Sequence, residues 1–573
     1  MSWNGSNALG ILEAPRSGAA AFNRSSWLTA LGIAVLALLW FSTIGMRALV
    51  SPDEGRYATL SLGMLQGGDW ITPRLNGLLY FEKPVLQYWL GALAFKVFGV
   101  SEFSARLWSA PPGFMTVLAT GFTAGKLWGR EAGLQALAVC ASMTWVLGNS
   151  LYLTLDAGLD LWLTLALCAM LLAHRPQLPP GARRNWILAA WAAMALAVLT
   201  KGLVGIVVPG ATLVLLCLWQ RDLSWWRGMH WLAGGLLFLA ITVPWFVVVS
   251  MRNPAFAEFF FVHEHFARFL TKVHRREGAW WYYVPMLLAG TLPWTGALAF
   301  AGLPAQRAAS PGQEGALDTR TTQQRLLLLW SGFIFVFFSV SGSKLPSYIL
   351  PMFPALALLL VMRLRGLGFG LVRWQLLIPV AAWLLAVIAS TQVHRFAGPN
   401  SPVSVVEPMA HAVRIGAAVF FSGAVLAWFC LRQGRLRAAL WCIALGHVLA
   451  MTLVLRSHDS FGQLKSAQAP ARALESYLDA GTPVFAVRTY DQTLPFYLRR
   501  DVVLVDYVDE FELGQRLEPG KSIDRVDEFV TRWAGLPKAA AYMSEPTRLE
   551  LQQRGVPMRV VYRDPRRVMV VKP

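Results

Sequence analysis

Long apolar windows alternate with short polar connections along the first 455 positions of the chain. Windows of about 18–25 apolar residues are each long enough to cross a bilayer as an α-helix. The pattern predicts about thirteen such spans. They cover residues 27–49, 104–125, 131–148, 153–173, 185–200, 203–220, 230–250, 284–303, 324–341, 348–363, 371–391, 412–431 and 437–455. The chain is therefore predicted to be a polytopic α-helical membrane protein.

One part of this pattern leaves the span count open. Residues 185–219 are apolar apart from Thr200 and Lys201, and they could be read as a single long helix. A single helix would place every later connection on the other side of the membrane. We interpret the segment as two helices with a turn at Lys201, because the basic connections then all fall on one side.

Composition agrees with a membrane protein, since 55% of the residues are hydrophobic and 14% are charged. The formal net charge of +19 raises the question of nucleic-acid binding. The distribution of the charge argues against nucleic-acid binding, because each connection on one side of the membrane has more Lys and Arg than Asp and Glu. These connections are residues 126–130, 174–184, 220–227, 304–325, 363–373 and 432–437. Positive loops mark the cytoplasmic side, and no nucleic-acid partner is expected.

The pattern changes after residue 455. Stretches with β-strand character occur at 482–490, 501–509, 538–544 and 558–573, with helical patterns between them. The sequence predicts a membrane domain over 1–455 and a small extracytoplasmic α/β domain over 456–573. Two further extracytoplasmic loops, 51–103 and 251–283, join predicted spans.

Charged residues of the membrane half gather on the extracytoplasmic side, where charge near the hydrocarbon costs less than at the bilayer centre. The acidic ones are Asp53, Glu54, Asp69, Glu82, Glu102, Asp156, Asp160, Glu258 and Glu264, and the basic ones are Arg56, Arg74, Lys83, Lys201, Arg268 and Lys344. Asp53 and Asp156 each stand where a helix could begin, so either could be a helix cap. Either could equally be a carboxylate presented at a cavity.

The segment "YFEKP" (80–84) offers a phosphate ligand. Pro84 favours an extended backbone at Lys83, and a compact lysine cation suits a phosphate. The competing interpretation is ordinary contact with lipid headgroups. Residues 259–283 are aromatic and basic, as in an interfacial amphipathic segment. A metal site that uses His263 with Glu82 is a further alternative there.

Several of these segments together resemble one family. "SPDEGRYA" (51–58) and "LYFEKPVLQYW" (79–89), followed by "TLD" (154–156), "LTKG" (199–202) and "HEHFARF" (263–269), are similar to the lipid A 4-amino-4-deoxy-L-arabinose transferases. These enzymes are GT-C membrane glycosyltransferases related to protein O-mannosyltransferases. The resemblance extends over essentially the whole chain. One departure is Val85, where the family commonly has a second proline.

The resemblance implies an activity, its partners and the roles of named residues. The donor would be undecaprenyl phosphate carrying the aminosugar, and the acceptor a lipid A phosphate at the periplasmic face of the bacterial inner membrane. The modification would confer polymyxin resistance. Implied roles are catalysis for Asp53 and Asp156, donor-phosphate binding for Lys83, Arg268, Tyr80, Lys201 and Tyr348, and a zinc-like divalent ion at Glu82 and His263.

Two other functions fit parts of the pattern. A polyprenyl-phosphate-sugar transferase that acts on a protein or another glycan has the same architecture, but its hydroxyl acceptor would require a general base. A transporter would place charges at mid-membrane in two inverted halves. The gathering of charges on one face speaks against a transporter.

Overall fold

The computed structural model describes residues 24–267, 278–301, 314–364, 369–398 and 400–573. The α-helices of the membrane half are α1 (Arg24–Phe41), α2 (Asp53–Gly67), α3 (Leu86–Phe98), α4 (Glu102–Ala105), α5 (Ala110–Trp128), α6 (Arg130–Ser142), α7 (Thr144–Ser150), α8 (Asp156–Ala173), α9 (Pro180–Lys201), α10 (Val204–Gln220), α11 (Ser224–Arg227), α12 (Trp231–Arg252), α13 (Ala255–Ala257), α14 (Tyr283–Gly290), α15 (Glu314–Val340), α16 (Phe353–Leu364), α17 (Phe369–Gln375), α18 (Leu377–Thr391), α19 (Val393–Phe396), α20 (Val403–Arg432) and α21 (Leu436–Gly462). Helical turns of other types cover Arg106–Trp108, Glu258–Ala267 (a π-helix), Thr295–Phe300 and Pro346–Met352.

In the described part of the chain, seven helices are long and apolar enough to cross a membrane. They cover Asp156–Ala173, Trp231–Arg252, Thr319–Val340, Pro346–Leu364, Val372–Thr391, Val403–Arg432 and Leu436–Ser460. The remaining predicted spans coincide with shorter, broken or less apolar helices. The span predicted at 131–148, for example, is divided into α6 and α7 by the extended residue Met143. The count of thirteen stays a prediction.

The two-helix interpretation of residues 185–219 is confirmed. Helix α9 ends at Lys201 and α10 begins at Val204. Between them Gly202 has φ +83°, a left-handed backbone conformation that glycine adopts at no steric cost. The turn leaves Lys201 at the end of its helix, where its side chain reaches the first turn of α8.

The loop 51–103 is an ordered structure rather than a flexible connection. It contains α2, the antiparallel pair β1 (Arg74–Leu75) and β2 (Leu78–Leu79), and α3. The turn between the two strands is attached to the C-terminal part of the chain, because the Asn76 amide exchanges two hydrogen bonds of 2.7 Å with the backbone of Val502. The loop and the C-terminal region therefore form one packed unit.

A five-stranded sheet lies in the C-terminal region. Its strands are β3 (Val484–Val487), β4 (Val503–Val505), β5 (Ala540–Met543), β6 (Arg559–Arg563) and β7 (Val568–Val571), in the order β4-β3-β5-β7-β6. The first three strands are parallel and the last two pair antiparallel. The helices are α22 (Gln468–Leu474), α23 (Leu494–Leu498), α24 (Glu512–Leu517), α25 (Val526–Gly535) and α26 (Glu545–Gln553), with 3-10 turns at Gln463–Lys465, Glu475–Tyr477 and Asp509–Phe511.

Two details of this region differ from the sequence pattern. The predicted strand 558–573 is a hairpin, β6 and β7, because Asp564 accepts hydrogen bonds from the backbone of Arg566 and Arg567 and closes a tight turn. Helix α21 continues to Gly462, seven residues beyond the last predicted span. Its final turns are polar. In them Asp459 accepts a hydrogen bond of 3.0 Å from the Ala48 backbone, which attaches this end of the helix to the rest of the protein.

Helices α5 and α6 approach each other closely at glycines. A Cβ atom on Gly133 would lie 2.8 Å from the Gly121 carbonyl oxygen and 3.0 Å from the Gly125 Cα. Small residues permit such backbone contact between membrane helices. We expect Gly133→Ala to force α5 and α6 apart, to cost about 1–3 kcal/mol and to lower the Tm of the detergent-purified protein in scanning fluorimetry.

Gly210→Ala is the matched control. Gly210 lies in α10, and a Cβ atom there would meet no described atom within 4 Å. This variant should keep the wild-type Tm. Equal Tm values for the Gly133 and Gly210 variants would contradict the close packing of α5 and α6.

Candidate active site

Glu54, in the loop 51–103, is a buried centre of charged contacts. Its side chain has no exposed surface and forms a two-pronged ion pair with Arg106, at 2.7 Å and 2.8 Å. Its two oxygens also accept backbone hydrogen bonds of 3.0 Å from Val50 and Leu153. One carboxylate therefore joins the segment before Asp53 to the segment before Asp156.

Charge compensation keeps Glu54 ionised. Burial alone would raise the pKa of the Glu54 carboxyl, but the guanidinium groups of Arg106 and Arg47 and the Leu153 N–H outweigh burial and lower the pKa below its usual value. The remaining Arg106 N–H groups donate to the carbonyl oxygens of Ile44, Arg47 and Ala48. The pair is thus fully hydrogen-bonded, as a buried ion pair must be to persist.

Asp53 stands beside this centre and differs from Glu54 in exposure. It is the first residue of α2 and not its cap, since Pro52 occupies the cap position. A third of its side chain is exposed (33%). Its carboxylate accepts a hydrogen bond of 2.7 Å from Arg56, whose Nε donates to Glu510 of the C-terminal region at 2.5 Å. Asp53 is therefore both held in place and accessible.

Asp156 begins α8 and forms a second charged cluster. The cap position of this helix is Leu155, so the cap interpretation of Asp156 is also wrong. The Lys201 ammonium donates to the Asp156 carboxylate. The same ammonium lies 4.4 Å from the centre of the Tyr348 ring, in a cation–π contact. The structure thus brings Asp156, Lys201 and Tyr348 together from three separate segments.

Tyr57 lies close enough to both aspartates for their charges to act on its phenol. Burial, followed by the nearby Asp53 carboxylate, raises its pKa well above the usual value, and Asp156 adds to this effect. The phenol is therefore neutral at physiological pH and can donate a hydrogen bond. Its ring stacks on that of Tyr88 with centroids 6.5 Å apart. Tyr80 is buried nearby, where burial and then Glu82 raise its pKa in the same way.

Lys83 forms the third cluster. Its ammonium donates to Glu264 at 3.0 Å and to the Glu82 backbone carbonyl at 2.7 Å. Glu264 is buried, with 1% of its side chain exposed, and it lies in the π-helix Glu258–Ala267. His263, its neighbour, stacks on Phe259 with ring centroids 5.0 Å apart. Arg268 lies outside the described residues.

Among the described residues around Lys83, the structure shows no complete set of metal ligands. The His263 Nδ1 lies 3.6 Å from the Glu264 Oε1, and Glu264 already accepts a hydrogen bond from Lys83. In the segments that the structure describes, no three His, Cys, Asp or Glu side chains lie close enough to hold a metal ion. Zinc sites in proteins use three or four protein ligands.

Comparisons with known proteins identify the family. Residues 470–572 match the family model described as aminoarabinose transferase C-terminal domain, and residues 25–260 match dolichyl-phosphate-mannose-protein mannosyltransferase. The chain is 32% identical over 490 residues to the undecaprenyl phosphate-alpha-4-amino-4-deoxy-L-arabinose arabinosyl transferase of Erwinia tasmaniensis, covering 83% of this chain and 85% of the relative. The chain belongs to this transferase family.

Other relatives agree with this assignment. The enzyme of the same name from Pseudomonas aeruginosa strain UCBPP-PA14 is 34% identical over 377 residues, 64% of this chain and 65% of that enzyme. Among solved structures, ArnT from Cupriavidus metallidurans bound to undecaprenyl phosphate is similar with a TM-score of 0.90 and 35% identity. This match covers 96% of our chain and 98% of that one. The predicted family, the GT-C membrane fold and the glycosyltransferase class are confirmed.

Sequence reasoning missed several members of the site. It did not pair Lys83 with Glu264 or Glu54 with Arg106, because the partners are far apart in the chain. Glu510 could not have been found, since nothing in its local sequence points to Arg56. Tyr57 carried a signal that was overlooked, because it lies inside the family-like motif at 51–58.

The Glu54–Arg106 pair yields a prediction. Glu54→Gln keeps the shape but leaves Arg106 buried without a counter-charge, which typically costs about 3–5 kcal/mol. We expect a lower Tm for this variant together with reduced transfer activity, because both aspartate-bearing segments lose their common anchor. The higher stability of the wild type relative to Glu54→Gln should be present at neutral pH. It should disappear as the pH falls through the lowered pKa of Glu54.

Glu528→Gln is the control for this prediction. Glu528 is exposed on α25, far along the chain from the site, and its neutralisation should change neither Tm nor activity. A Glu54→Gln protein with wild-type Tm and activity would show that the buried pair does not organise the site.

Proposed function

We propose that the chain transfers 4-amino-4-deoxy-L-arabinose from undecaprenyl phosphate to a phosphate of lipid A, at the periplasmic face of the bacterial inner membrane. The observation that carries this proposal is the match over nearly the whole chain to a transferase solved with undecaprenyl phosphate bound. The names of the relatives support the aminosugar and the lipid-linked donor. They do not favour transfer to a protein or glycan hydroxyl. Resistance to polymyxin would follow from the modified lipid A.

The topology in this proposal has a cytoplasmic N-terminus and thirteen spans, with the sheet of the C-terminal region in the periplasm. The basic connections on the opposite side support this orientation. The division into a membrane domain over 1–455 and a periplasmic domain over 456–573 belongs to the same proposal. The donor's polyprenyl chain would remain in the bilayer.

The transfer can be written as a balanced displacement at the anomeric carbon. A lipid A phosphate oxygen forms the new C–O bond while the bond from carbon to undecaprenyl phosphate breaks, and the leaving phosphate takes the electron pair. The acceptor phosphate loses one negative charge and the leaving phosphate gains one. No proton has to move, so a general base is not required for this acceptor.

Lys83 would stabilise the charge that develops on the leaving phosphate. Its ammonium is already directed into the site by two hydrogen bonds, to Glu264 and to the Glu82 carbonyl. A preorganised cation of this kind lowers the barrier without reorganising during the reaction. The family resemblance alone adds four more residues to the proposed phosphate-binding group: Arg268, Tyr80, Lys201 and Tyr348.

Asp53 and Asp156 would act on the sugar. Their carboxylates can bind the sugar's ammonium group and stabilise positive charge on the ring in the transition state. Arg56 neutralises Asp53 only in part, because Glu510 also pairs with Arg56. Each aspartate should therefore accelerate the transfer of the aminosugar more than the transfer of an uncharged sugar analogue. A divalent ion at Glu82 and His263 stays a prediction of the resemblance.

The first test concerns Asp53. In polymyxin-challenged cells that lack their own transferase, the wild-type chain should add one aminoarabinose to lipid A, which mass spectrometry of the lipid detects. Asp53→Asn preserves size but removes the charge, and the activity should fall by about 10²-fold or more.

Asp69→Asn is the matched control, because Asp69 lies on the same loop but is paired with Arg252 at the surface. It should modify lipid A like the wild type. Unmodified lipid A in cells that express the wild-type chain well would refute the proposed acceptor. Full activity of the Asp53→Asn chain would refute the role of that carboxylate.

Lys83→Ala tests the leaving-group cation. We expect kcat to fall by about 10²–10³-fold, with a smaller change in the KM for the donor, since the leaving-group charge is largest in the transition state. Purified enzyme with donor and lipid A provides both constants. Lys96→Ala, at an exposed lysine of α3, should behave like the wild type. A Lys83→Ala effect confined to KM would contradict the role in the chemical step.

A further inference from the structure

An apolar groove of about 780 Å³ lies between the start of α18 and the end of α20. One wall includes Trp374 and Leu377, and the other includes Val425 and Phe429, all of them more than half exposed. Among the described residues that line the groove, Arg373 is the only charged one. The volume falls in the range of ligand sites. None of the residues proposed to act in the transfer lines this groove, so it is a separate feature of the molecule.

The length and position of the groove match one leaflet of a bilayer. Its lining residues on α20 extend from Phe421 to Phe429, and the helix ends three residues later at Arg432. At 1.5 Å per residue this stretch is about 12 Å long, which is slightly less than half of a hydrocarbon core of about 30 Å. Trp374 and Trp428 line the end of the groove near the helix terminus, and tryptophan is enriched where a membrane meets water. The groove thus has room for a lipid chain whose headgroup lies at the arginine end.

Two arginines stand at this end of the groove. The Arg373 Nη2 donates a hydrogen bond of 3.3 Å to the Leu431 carbonyl, which ties the start of one wall to the end of the other. A guanidinium has five N–H donors, and the Arg373 Nε is buried without a hydrogen-bond partner among the described residues. The Arg432 guanidinium lies 3.9 Å from the centre of the Trp428 ring, in a cation–π contact that holds it beside the groove. Both cations are therefore placed where an anionic headgroup would lie.

The charge around this end of the groove is positive. The two connections that meet there, residues 363–373 and 432–437, contain no acidic residue. Arg437 is compensated by Glu131 from another helix, in an ion pair of 2.6 Å. Basic pockets between membrane helices on the cytoplasmic side bind anionic lipid headgroups. A soluble anion would gain nothing from the apolar walls, whereas a phospholipid satisfies both the walls and the arginines.

We propose that this groove binds an anionic phospholipid, with an acyl chain between α18 and α20 and the lipid phosphate on Arg373 and Arg432. The lipid would join the two helices along a face where their side chains leave a gap. The site does not depend on the transfer reaction. Only its assignment to the cytoplasmic leaflet rests on the proposed topology.

Native mass spectrometry of the full-length, detergent-purified protein with defined lipids tests the proposal. Phosphatidylglycerol should bind with a Kd about tenfold or more below that of phosphatidylcholine with the same acyl chains. Arg373→Gln and Arg432→Gln should each weaken the binding of phosphatidylglycerol by about fivefold and leave that of phosphatidylcholine unchanged. Arg414→Gln is the matched control, because Arg414 is an exposed arginine of α20 that does not line the groove. It should bind both lipids like the wild type.

A second pair of variants tests the apolar part of the groove. Val425→Trp would fill the groove and should weaken the binding of phosphatidylglycerol by about tenfold or more, although both arginines remain. Leu426→Trp is its control, since Leu426 is the next residue of α20, is equally exposed and does not line the groove.

Equal affinity of the wild type for the two lipids would overturn the proposal, as would unchanged phosphatidylglycerol binding in the Arg373→Gln and Val425→Trp variants. A protein dimer that Val425→Trp abolishes would assign the groove to a second copy of the chain and would also overturn it. The assay detects bound lipid and not transfer, so failure of the proposed function would leave this result unaffected.

Discussion

The buried ion pair between Glu54 and Arg106 is the interaction on which the site depends. A carboxylate without any exposed surface would be very costly without its arginine, and here both partners are fully hydrogen-bonded. The pair is not a catalytic device itself, because no substrate can reach it. Its effect is to fix the backbone before Asp53 and the backbone before Asp156 relative to one carboxylate. The carboxylates of Asp53 and Asp156, on segments that are distant in the chain, thereby acquire a defined separation.

Around this anchor the charged side chains form a connected network instead of isolated pairs. Asp53 is joined through Arg56 to Glu510, and Glu510 accepts a further hydrogen bond of 2.8 Å from Gln492. Burial raises the pKa of Glu510 in spite of the nearby Arg56. The C-terminal region thus contributes directly to the position of the loop 51–103 around Asp53. This explains why the loop 51–103 and the sheet are packed as one unit.

In the proposed function, a site at the membrane boundary suits the two lipids that take part in the transfer. A polyprenyl-linked donor would keep its tail in the bilayer and a lipid A acceptor would be anchored there too, so neither substrate would have to leave the membrane. Charged residues near the hydrocarbon are tolerable there because they neutralise one another or face the aqueous side. Lys83 with Glu264 and Lys201 with Asp156 are both arranged in this way.

The sequence by itself determined the membrane class, the turn at Lys201, the first-loop motif and, through them, the family. The length of the apolar segments and the distribution of basic loops are local properties, so they can be recognised from the sequence without any tertiary information. The roles of Asp53 and Asp156 were inferred from the family resemblance and not from the spacing of residues in the sequence. Only the tertiary structure showed that Arg106 pairs with Glu54, that Glu264 holds Lys83 and that Glu510 reaches Arg56. Each of these pairs joins residues more than 50 positions apart, and an ion pair leaves no local periodicity from which its partner could be read.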